Sequence, residues 1–393
     1  MLISTPPYGP VIVDEQKIPR YWATVWSMFH GAALAPSTLK RKLGHIEALY
    51  AHVDQLGGTL DDALHVVDFD TLGNALEAFF AQLQNVPVPT ETTQIRWNTA
   101  FHFVRDICER LERDPALGHR MEEVRARMSQ LDRLYLGLRP FRKRLTAKLR
   151  AVPRNVTAAL LDVATPGSKN NPFCNANTQW RVYALVCLLL YQGLRRGECL
   201  LLLANFVKSE VDLRTGARRW YMSVRGTDAE DDPRGTAPSI KTVNSIRTIP
   251  IANETAQALL GYGENYRGPV EHGFFLSSAR GTPLSLEGVN LALRRLTTAL
   301  PPDIREQLLE RTGARWLTPH ALRHTCAVVR TNQLLKSGKT PEQTMMHLRS
   351  FFGWSKKSLM PLLYAKAALD ENLNDSWNDD FDARVSVLRS LPQ

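Results

Sequence analysis

The sequence predicts a mainly α-helical protein with a small antiparallel β-sheet, arranged as a helical N-terminal domain followed by an α+β domain. Apolar residues recur at helical spacing from Tyr21 to about Arg113, a pattern typical of amphipathic helices that share a core. Further along, three short segments alternate as strands do, and turn residues separate them. These segments are residues 206–212, 218–225 and 246–251. At 393 residues the chain is long enough for two domains.

Changes in composition set the predicted domain limits. A Pro-containing leader at 1–19 is expected to be flexible, and a helical domain is expected to cover 20–138. An arginine-rich linker follows at 139–154. The α+β domain is predicted at 155–369, and an acidic tail at 370–393.

Two apolar stripes define helices of the N-terminal domain. The first stripe follows Pro36-Ser37, which is predicted to be the N-cap of the helix, and consists of Leu39, Leu43, Ile46, Tyr50 and Val53. The second stripe consists of Trp97, Ala100, Phe101, Val104, Cys108 and Leu111. Both stripes are most simply core packing. The opposite face of the first helix carries Lys40, Arg41 and Lys42.

The net charge of +10 is distributed unevenly along the chain. Lys and Arg against Asp and Glu number 19 against 17 in residues 1–150, 27 against 16 in 151–365, and 3 against 6 in 366–393. The positive excess therefore lies on the α+β domain, which suits a polyanionic partner. Charge alone is equally compatible with a membrane surface or with simple solubility.

The composition excludes several classes of protein. A hydrophobic content of 44% with 22% charged residues is that of a globular protein rather than a disordered one. The five cysteines include no Cys-x-x-Cys pair, so they predict free thiols of a reducing compartment rather than a disulfide framework or zinc site. The N-terminus lacks a signal-peptide core, and the longest apolar run is about half of the ~20 residues that a membrane span needs. We expect a cytoplasmic protein.

The segment Trp316 to Thr325 is the most informative about chemistry. His320 and Arg323 lie three residues apart just inside a predicted helix start, so both side chains project from one face. An imidazole can move a proton and a guanidinium can hold two oxygens, a combination that suits phosphate chemistry. On its own, a His-x-x-Arg pair is more often a surface feature. His324 follows, either as an assistant to His320 or as a packing residue.

Two further segments carry basic side chains at positions that favour a site. Arg195 and Glu198 follow the apolar run Tyr183 to Tyr191, which predicts a buried helix ending at Gly193. Glu198 is spaced to hold the guanidinium of Arg195 in place. Lys241 precedes a polar turn and a strand, which presents its ammonium from a hairpin. Taken singly, these are also compatible with a helix C-cap flanked by solvated arginines and with an exposed hairpin lysine.

The last segment contains Phe351-Phe352-Gly353-Trp354 and, further on, Tyr364. Tyr364 is the only tyrosine after Arg323, so it is the single candidate if the site needs a phenolic nucleophile downstream of the His-x-x-Arg pair. The alternative is a core aromatic residue on a short amphipathic helix.

In this order, the segments resemble the active-site boxes of the tyrosine recombinase (phage integrase) family. The family's Gly-Leu-Arg-x-x-Glu box is matched by Gly193 to Glu198, and its His-x-Leu-Arg-His-Thr box by His320 to Thr325. The β-hairpin lysine is matched by Lys241, and Trp354 stands where most members have histidine and some have tryptophan. Tyr364 lies ten residues after Trp354, where nine is usual, which implies a one-residue insertion between them.

The resemblance covers roughly residues 155–370 and, more loosely, an N-terminal helical core-binding domain. It implies DNA cleavage and rejoining through a covalent 3′-phosphotyrosine without metal or cofactor, with strand exchange through a Holliday junction. It also implies a homo-tetramer on double-stranded DNA with inverted-repeat core sites, and it allows accessory DNA-bending proteins. The corresponding location is cytoplasmic and nucleoid-associated, with no membrane partner.

The residue types suggest roles in such a reaction. Arg195 and Arg323 would hold the non-bridging oxygens of the phosphate, and Tyr364 would attack phosphorus. His320 would accept or relay the phenolic proton, and Lys241 would protonate the departing 5′-oxygen. Orienting and supporting roles would fall to Trp354, Glu198 and His324. The expected DNA-binding residues are Lys40, Arg41, Lys42, Arg96, Arg139, Arg142, Lys143 and Arg144.

Two alternatives stay open. A type IB topoisomerase or telomere resolvase would share the arginines and the tyrosine, although the two boxes favour a recombinase. A non-catalytic DNA-binding regulator derived from an integrase would belong to another class, and the intact set of six residues argues against it. The DNA target, the direction of the reaction and the mobile element or host process served are not encoded in these motifs.

Overall fold

The computed structural model describes residues 1–5, 9–87, 90–111, 118–137, 151–225, 232–234, 238, 245–356 and 358–364. The chain divides into two compact units, Met1–Leu145 and Thr146–Gln393. The division falls within the linker predicted at 139–154, of which residues 139–150 lie outside the described residues. The acidic tail predicted at 370–393 also lies outside them, and the predicted domain limits stay predictions.

The first unit is helical and begins with a two-stranded antiparallel ribbon. The strands are β1 (Leu2–Thr5) and β2 (Gly9–Ile12). The helices are α1 (Tyr21–Gly31), α2 (Pro36–Gln55), α3 (Leu60–His65), α4 (Phe69–Gln84), α5 (Glu91–Leu111) and α6 (Gly118–Gly137). The run of helices agrees with the helical pattern that the sequence shows between Tyr21 and Arg113.

In the segment expected to be a flexible leader, 1–19, the described residues form the ribbon of β1 and β2. β1 and β2 pair, and Ile12 and Val13 are each 1% exposed. The N-terminal ammonium lies 3.3 Å from the carboxylate of Glu47 on α2. Proline in this segment does not prevent pairing, because a two-stranded ribbon has only edge strands, where a missing N–H is tolerated. Burial of Ile12 against the helices then stabilises the ribbon.

The two predicted apolar stripes lie at the centre of the first unit, on α2 and α5. Leu43 and Ile46 on α2 are 1% and 0% exposed, and Ala100 and Val104 on α5 are 0% exposed. Both stripes are therefore core packing, as the spacing predicts. Their burial leaves the opposite face of α2 to present its basic side chains.

The second unit combines helices with a three-stranded antiparallel sheet in the order β3-β4-β5. The strands are β3 (Val207–Val211), β4 (Arg218–Val224) and β5 (Arg247–Ile251). The helices are α7 (Arg154–Ala164), α8 (Ala176–Leu190), α9 (Arg196–Leu200), α10 (Asn253–Gly261), α11 (Leu286–Ala299), α12 (Pro302–Thr312), α13 (Pro319–Lys336) and α14 (Pro341–Phe352). A π-helical turn, Tyr262–Tyr266, continues α10. The predicted fold class, mainly α with a small antiparallel sheet, is confirmed.

Helix α8 forms the centre of the second unit and sets the position of the site. Its residues 184–190 are all buried, so the helix is surrounded by protein on every side over its last two turns. It ends at Leu190, and Gly193 then adopts a left-handed conformation with φ +58°. A Cβ at Gly193 would lie 2.4 Å from Cε1 of Phe352 and 3.0 Å from Sγ of Cys326. Only glycine allows this turn, which carries the chain from the core to Arg195.

No helix among the described residues is both long enough and apolar enough to cross a membrane.

Candidate active site

Arg195 is held at the start of α9 by a buried carboxylate. Arg195 is the N-cap residue of α9, and its backbone N–H donates to Oε2 of Glu198 at 2.9 Å. Its Nη1 donates to Oε1 of the same carboxylate at 2.6 Å and to Oγ of Ser245 at 3.1 Å. Because Glu198 is 2% exposed and Arg195 is 29% exposed, the guanidinium is anchored from inside and still faces solvent. The predicted pairing of these two residues is present in the structure.

Glu198 also binds a second arginine, Arg247, at the start of β5. Nη2 of Arg247 donates to Oε2 of Glu198 at 3.0 Å, and Nη1 donates to Oε1 at 3.3 Å. Arg247 donates further to the backbone oxygens of Ser245 and Phe351, both at 2.7 Å. Arg247 therefore binds the Glu198 carboxylate in a bidentate manner, and its own side chain is only 7% exposed.

Arg323 is the third guanidinium beside Glu198, at 3.6 Å from Nη1 to Oε2. It is 4% exposed, and it donates to the carbonyl oxygens of Gly193 at 2.5 Å and Phe352 at 2.7 Å. Burial lowers the pKa of Arg323 to about 10, while Glu198 acts in the opposite direction. Arg323 is therefore still charged near neutral pH.

The three arginines determine the charge state of Glu198. Burial on its own would raise the pKa of this carboxyl group, but the positive charges of Arg247, Arg323 and Arg195 outweigh that effect and leave the pKa below its ordinary value. One negative charge thus faces three positive ones, so the cluster keeps an excess of positive charge. Such an excess, on guanidiniums fixed by hydrogen bonds, suits an anionic oxygen arriving from solvent.

The predicted helix start places His320, Arg323 and His324 on α13. Thr318 caps the helix by accepting from the backbone N–H of Ala321 at 3.1 Å, and Pro319 occupies the first turn. His320 is exposed, whereas His324, one turn later, is 7% exposed. Their Nε2 atoms lie 2.8 Å apart, at hydrogen-bond distance.

Tyr364 lies inside the second unit, against His324. Its hydroxyl forms a hydrogen bond with Nδ1 of His324, and the side chain is 1% exposed. Burial raises the pKa of Tyr364, and the positive charge of Arg323 acts against that rise. The phenol thus lies within electrostatic reach of the guanidinium cluster.

Trp354 covers both Tyr364 and Arg323. The turn at Gly353, with φ +61°, ends α14 and sends the chain back over the site. The indole ring stacks on the ring of Tyr364, with centroids 5.5 Å apart and an interplanar angle of 12°. The guanidinium carbon of Arg323 lies 5.7 Å from the centroid of the same indole. Trp354 is half-buried, so it forms the outer layer over two groups that are almost fully covered.

Arg247 is the main residue of the site that the sequence reasoning did not single out. A signal was present, because Arg247, Ile249 and Ile251 share one face of an alternating strand. Ile249 and Ile251 are buried, which places Arg247 on the inward face. An arginine on the inward face of a strand requires a buried acceptor. That acceptor is Glu198, 49 residues earlier in the chain.

The structure brings most of the predicted catalytic residues together and leaves others undescribed. Arg195, Glu198 and Arg323 meet directly, and the group of Tyr364, His324 and His320 adjoins them through the Arg323 charge. Five predicted residues lie outside the described residues, namely Lys241, Arg139, Arg142, Lys143 and Arg144. Among the described residues no group of His, Cys, Asp and Glu is arranged to hold a metal ion.

The remaining predicted basic residues lie in the first unit. Lys40 and Arg41 are exposed on α2, Lys42 on the same helix is half-buried, and Arg96 on α5 is half-buried. Burial lowers the pKa of His45, and the positive charges of Arg96, Arg41 and Lys42 lower it further. The pairing of α2 with α5 therefore concentrates three positive charges around one histidine.

Comparison with solved structures finds similar chains, among them two recombinases. The chain is similar to the crystal structure of XerA recombinase, with a TM-score of 0.37 and 16% identity, over 91% of this chain and 97% of that chain. It is also similar to the crystal structure of XerH site-specific recombinase bound to difH substrate, a pre-cleavage complex. That TM-score is 0.47 and the identity 14%, over 91% of this chain and 84% of that chain. No protein-family model and no curated protein matches the sequence.

Proposed function

We propose that this chain is a site-specific DNA recombinase that cleaves and rejoins DNA through a covalent 3′-phosphotyrosine at Tyr364. One observation supports the proposal most directly: the Tyr364 hydroxyl forms a hydrogen bond with the imidazole of His324 and lies within electrostatic reach of Arg323. Arg323 in turn lies beside Glu198, the carboxylate that also binds Arg195. A nucleophile, a base and two fixed guanidiniums are the groups that phosphoryl transfer to a tyrosine requires.

In this proposal Arg195 and Arg323 hold the two non-bridging oxygens of the scissile phosphate. Arg195 is 29% exposed, so a phosphate can approach it from solvent. Glu198 holds both guanidiniums before the substrate arrives, so that they need no reorganisation as charge develops in the transition state. Tyr364 then attacks phosphorus, and the new phosphotyrosine bond conserves the energy needed for rejoining.

The covered state of Tyr364 and Arg323 requires an opening step, which we assign to Trp354. The two side chains are 1% and 4% exposed, and the indole of Trp354 lies over both. Displacement of this one side chain would expose the nucleophile and the second phosphate-binding guanidinium together. In the open state the indole N–H would be available to orient the phosphate.

Lys241 is proposed to protonate the departing 5′-oxygen, a role that depends on the resemblance in sequence. Replacement of the 5′-oxygen by sulfur makes a better leaving group that needs no proton. Lys241→Ala should therefore slow cleavage of an ordinary phosphate and recover much of the rate on a bridging phosphorothiolate. Arg195→Ala and Arg323→Ala should not recover, because they act on non-bridging oxygens. Equal recovery of all three would remove the distinction between these roles.

Double-stranded DNA is the proposed partner of both units. The positive excess of the second unit and the basic residues Lys40, Arg41, Lys42 and Arg96 of the first suit a polyanion. Inverted-repeat core sites, a homo-tetramer on DNA and strand exchange through a Holliday junction complete the proposal. We also propose a cytoplasmic, nucleoid-associated location. In the linker, the proposed DNA-binding residues are Arg139, Arg142, Lys143 and Arg144.

The decisive experiment traps the covalent intermediate. Wild-type protein is incubated with a supercoiled plasmid carrying the DNA that flanks its gene, and the adducts are trapped with denaturant. Tyr364→Phe should bind this DNA normally and form no adduct, because it loses only the nucleophilic oxygen. Tyr221→Phe, on β4, removes a hydroxyl outside the site and should retain wild-type adduct formation. Adducts from the Tyr364→Phe protein would refute the assignment.

The same assay separates the alternatives. Relaxation of a plasmid without any need for two specific sites would indicate a type IB topoisomerase or telomere resolvase. Binding without any adduct from wild-type protein would indicate a non-catalytic regulator. A requirement for two sites, with exchange of the flanking DNA between them, is the outcome that a recombinase predicts.

A further inference from the structure

Three side chains in the second unit form a continuous hydrogen-bonded chain from the buried phenol to solvent. The Tyr364 hydroxyl is bonded to Nδ1 of His324. The other nitrogen of that ring, Nε2, lies 2.8 Å from Nε2 of His320. Tyr364 is 1% exposed, His324 is 7% exposed, and His320 is exposed. Burial thus decreases stepwise from Tyr364 through His324 to His320.

The positions of the two histidines on one helix explain how their rings meet. His320 and His324 are four residues apart on α13, so they lie one above the other on the same face of the helix. Their ring centroids are 4.2 Å apart with an interplanar angle of 79°, which directs the edge of one ring at the other. In the closed arrangement the indole of Trp354 also stacks on the ring of Tyr364, with centroids 5.5 Å apart.

We infer that His324, and not His320, takes the phenolic proton of Tyr364, and that His320 transfers a proton onward to solvent. This inference rests on the proposed function, because it assigns the base of the same cleavage reaction. The sequence-based expectation was that His320 would accept or relay that proton. The bonding pattern instead makes His324 the residue in contact with the nucleophile, and His320 the outer member of the chain.

The proton count of the step is balanced. Before attack, His324 carries its hydrogen on Nε2 and accepts from Tyr364 through Nδ1, while His320 accepts through Nε2 and carries its hydrogen on Nδ1. As the bond from Oη to phosphorus forms and the bond from phosphorus to the 5′-oxygen breaks, the phenolic proton moves to Nδ1 of His324. The Nε2 proton of His324 then moves to His320, which releases its Nδ1 proton to solvent. The 5′-oxygen takes a separate proton, and rejoining reverses every transfer.

Burial makes such a chain necessary. Before the opening step the phenol is 1% exposed and has no water to take its proton, and burial raises its pKa, which Arg323 only partly offsets. A base in direct contact is therefore required for attack, and that base must pass its own charge outward because a buried imidazolium is costly. His320, at the surface, can exchange its proton with water.

The kinetic test compares two histidine variants on the same plasmid, measured as the initial rate of adduct formation. His324→Ala should lower the rate by about 10²–10⁴-fold, the usual contribution of a positioned base. His320→Ala should lower it about tenfold or less, since water can replace an exposed group. The double variant should resemble His324→Ala, because members of one chain are not additive. His347→Ala, an exposed histidine on α14, is the matched control and should leave the rate unchanged.

Two further measurements separate proton transfer from packing. Imidazole added to the His324→Ala protein should restore a substantial part of the rate by occupying the vacated space. His324→Asn keeps an acceptor near the phenol but cannot pass a proton, so it should fold and bind DNA yet remain as slow as His324→Ala. A purely structural role would give the opposite result, with rescue by asparagine and none by imidazole.

Nitrogen-15 NMR of histidine-labelled full-length protein tests the hydrogen bonds between Tyr364, His324 and His320 without DNA. His324 should carry its hydrogen on Nε2, and Tyr364→Phe should change the chemical shift of its Nδ1. A hydrogen on Nδ1 of His324, or no response to Tyr364→Phe, would overturn the inference. A rate for His324→Ala equal to wild type, while Tyr364→Phe abolishes adducts, would overturn it and leave the proposed function standing. Absence of adducts from wild-type protein with the NMR pattern intact would count against the proposed function instead.

Discussion

Basic side chains occur in two settings in this molecule, and the settings differ in burial and in counter-charge. In the second unit, Arg323 and Arg247 are 4% and 7% exposed and both lie beside Glu198, which is 2% exposed. In the first unit, Lys40 and Arg41 are exposed on α2, and none of the ion pairs between described residues includes them. The second unit thus holds its buried guanidiniums in fixed positions, whereas the basic side chains of α2 in the first unit are exposed at the surface.

The difference indicates what each set of charges can do. A buried guanidinium has one low-energy position, because moving it breaks hydrogen bonds that water cannot replace. Such a group can act on a transition state, where placement to a fraction of an ångström matters. An exposed lysine follows its ligand and contributes attraction without fixed geometry. We therefore expect the second unit to carry the chemistry, and α2 and α5 to add affinity.

The largest effect is expected from removing the shared counter-charge. Glu198→Gln leaves three guanidiniums around a neutral amide, and breaking a buried ion pair costs about 3–5 kcal/mol in the free energy of unfolding. Urea unfolding measures this change. Glu306→Gln, an exposed residue of α12, is the matched control and should change stability by less than about 0.5 kcal/mol. A loss as small as that of the control would mean that Glu198 is not the residue that holds the cluster.

The same carboxylate gives a pH dependence of known sign. The pKa of Glu198 is lower in the folded protein than its ordinary value of 4.5, so its ionised form is bound more strongly in the folded state. Its contribution is complete above pH 4.5 and is lost as the pH falls through the folded-state pKa. The difference in unfolding free energy between wild type and Glu198→Gln should therefore shrink as the pH is lowered from 6 towards 3. A difference that grows on acidification would contradict the assigned charge state.

A smaller effect on stability, but a large one on rate, is expected at Arg323. Lysine keeps the charge but cannot donate to the carbonyls of Gly193 and Phe352 while also facing a phosphate. Arg323→Lys should lower adduct formation by about 10²–10³-fold with DNA affinity nearly unchanged. Arg330→Lys, two turns along the same helix, is the matched control and should keep the wild-type rate. A wild-type rate in the Arg323→Lys protein would indicate that Arg323 only supplies charge.

Arg247 should show the effect of positioning without contact to the substrate. Arg247→Met removes the bidentate hydrogen bonds to Glu198, so the position of Arg195 is less well fixed. We therefore expect the rate of adduct formation to fall about tenfold at saturating DNA. Arg247→Lys should recover part of that rate while DNA affinity stays constant. The control is Arg219→Met on β4, where the side chain is 74% exposed. An unchanged rate in Arg247→Met would restrict this residue to a role in folding.

The smallest effects are expected from the exposed set. Lys40→Ala and Arg41→Ala should each weaken binding to any DNA sequence by a few-fold, and each should reduce the slope of log affinity against log salt by about 1. The rate of adduct formation at saturating DNA should not change. A rate that falls while affinity is constant would place chemistry in the first unit and remove the distinction between the two settings.

Local patterns in the chain were sufficient for much of the architecture. The stripes of α2 and α5, the three strands and the start of α13 depend on the spacing of apolar residues and on caps such as Thr318, which act within a few residues. The same holds for the pairing of Arg195 with Glu198, three residues apart across the first turn of α9. The ribbon formed by β1 and β2 was missed, because its stability comes from helices much further along the chain.

The contacts that give the site its chemistry depend on the tertiary structure. Arg247 reaches Glu198 across 49 residues, and Tyr364 reaches His324 across 40. Spacing within a helix or strand predicts the face on which a side chain lies, but not which distant residue will meet it there. The burial of Glu198, which turns three arginines into a fixed set, is likewise a property of the packed core around α8. The motifs thus named most of the reacting groups, and packing decided which histidine touches the nucleophile.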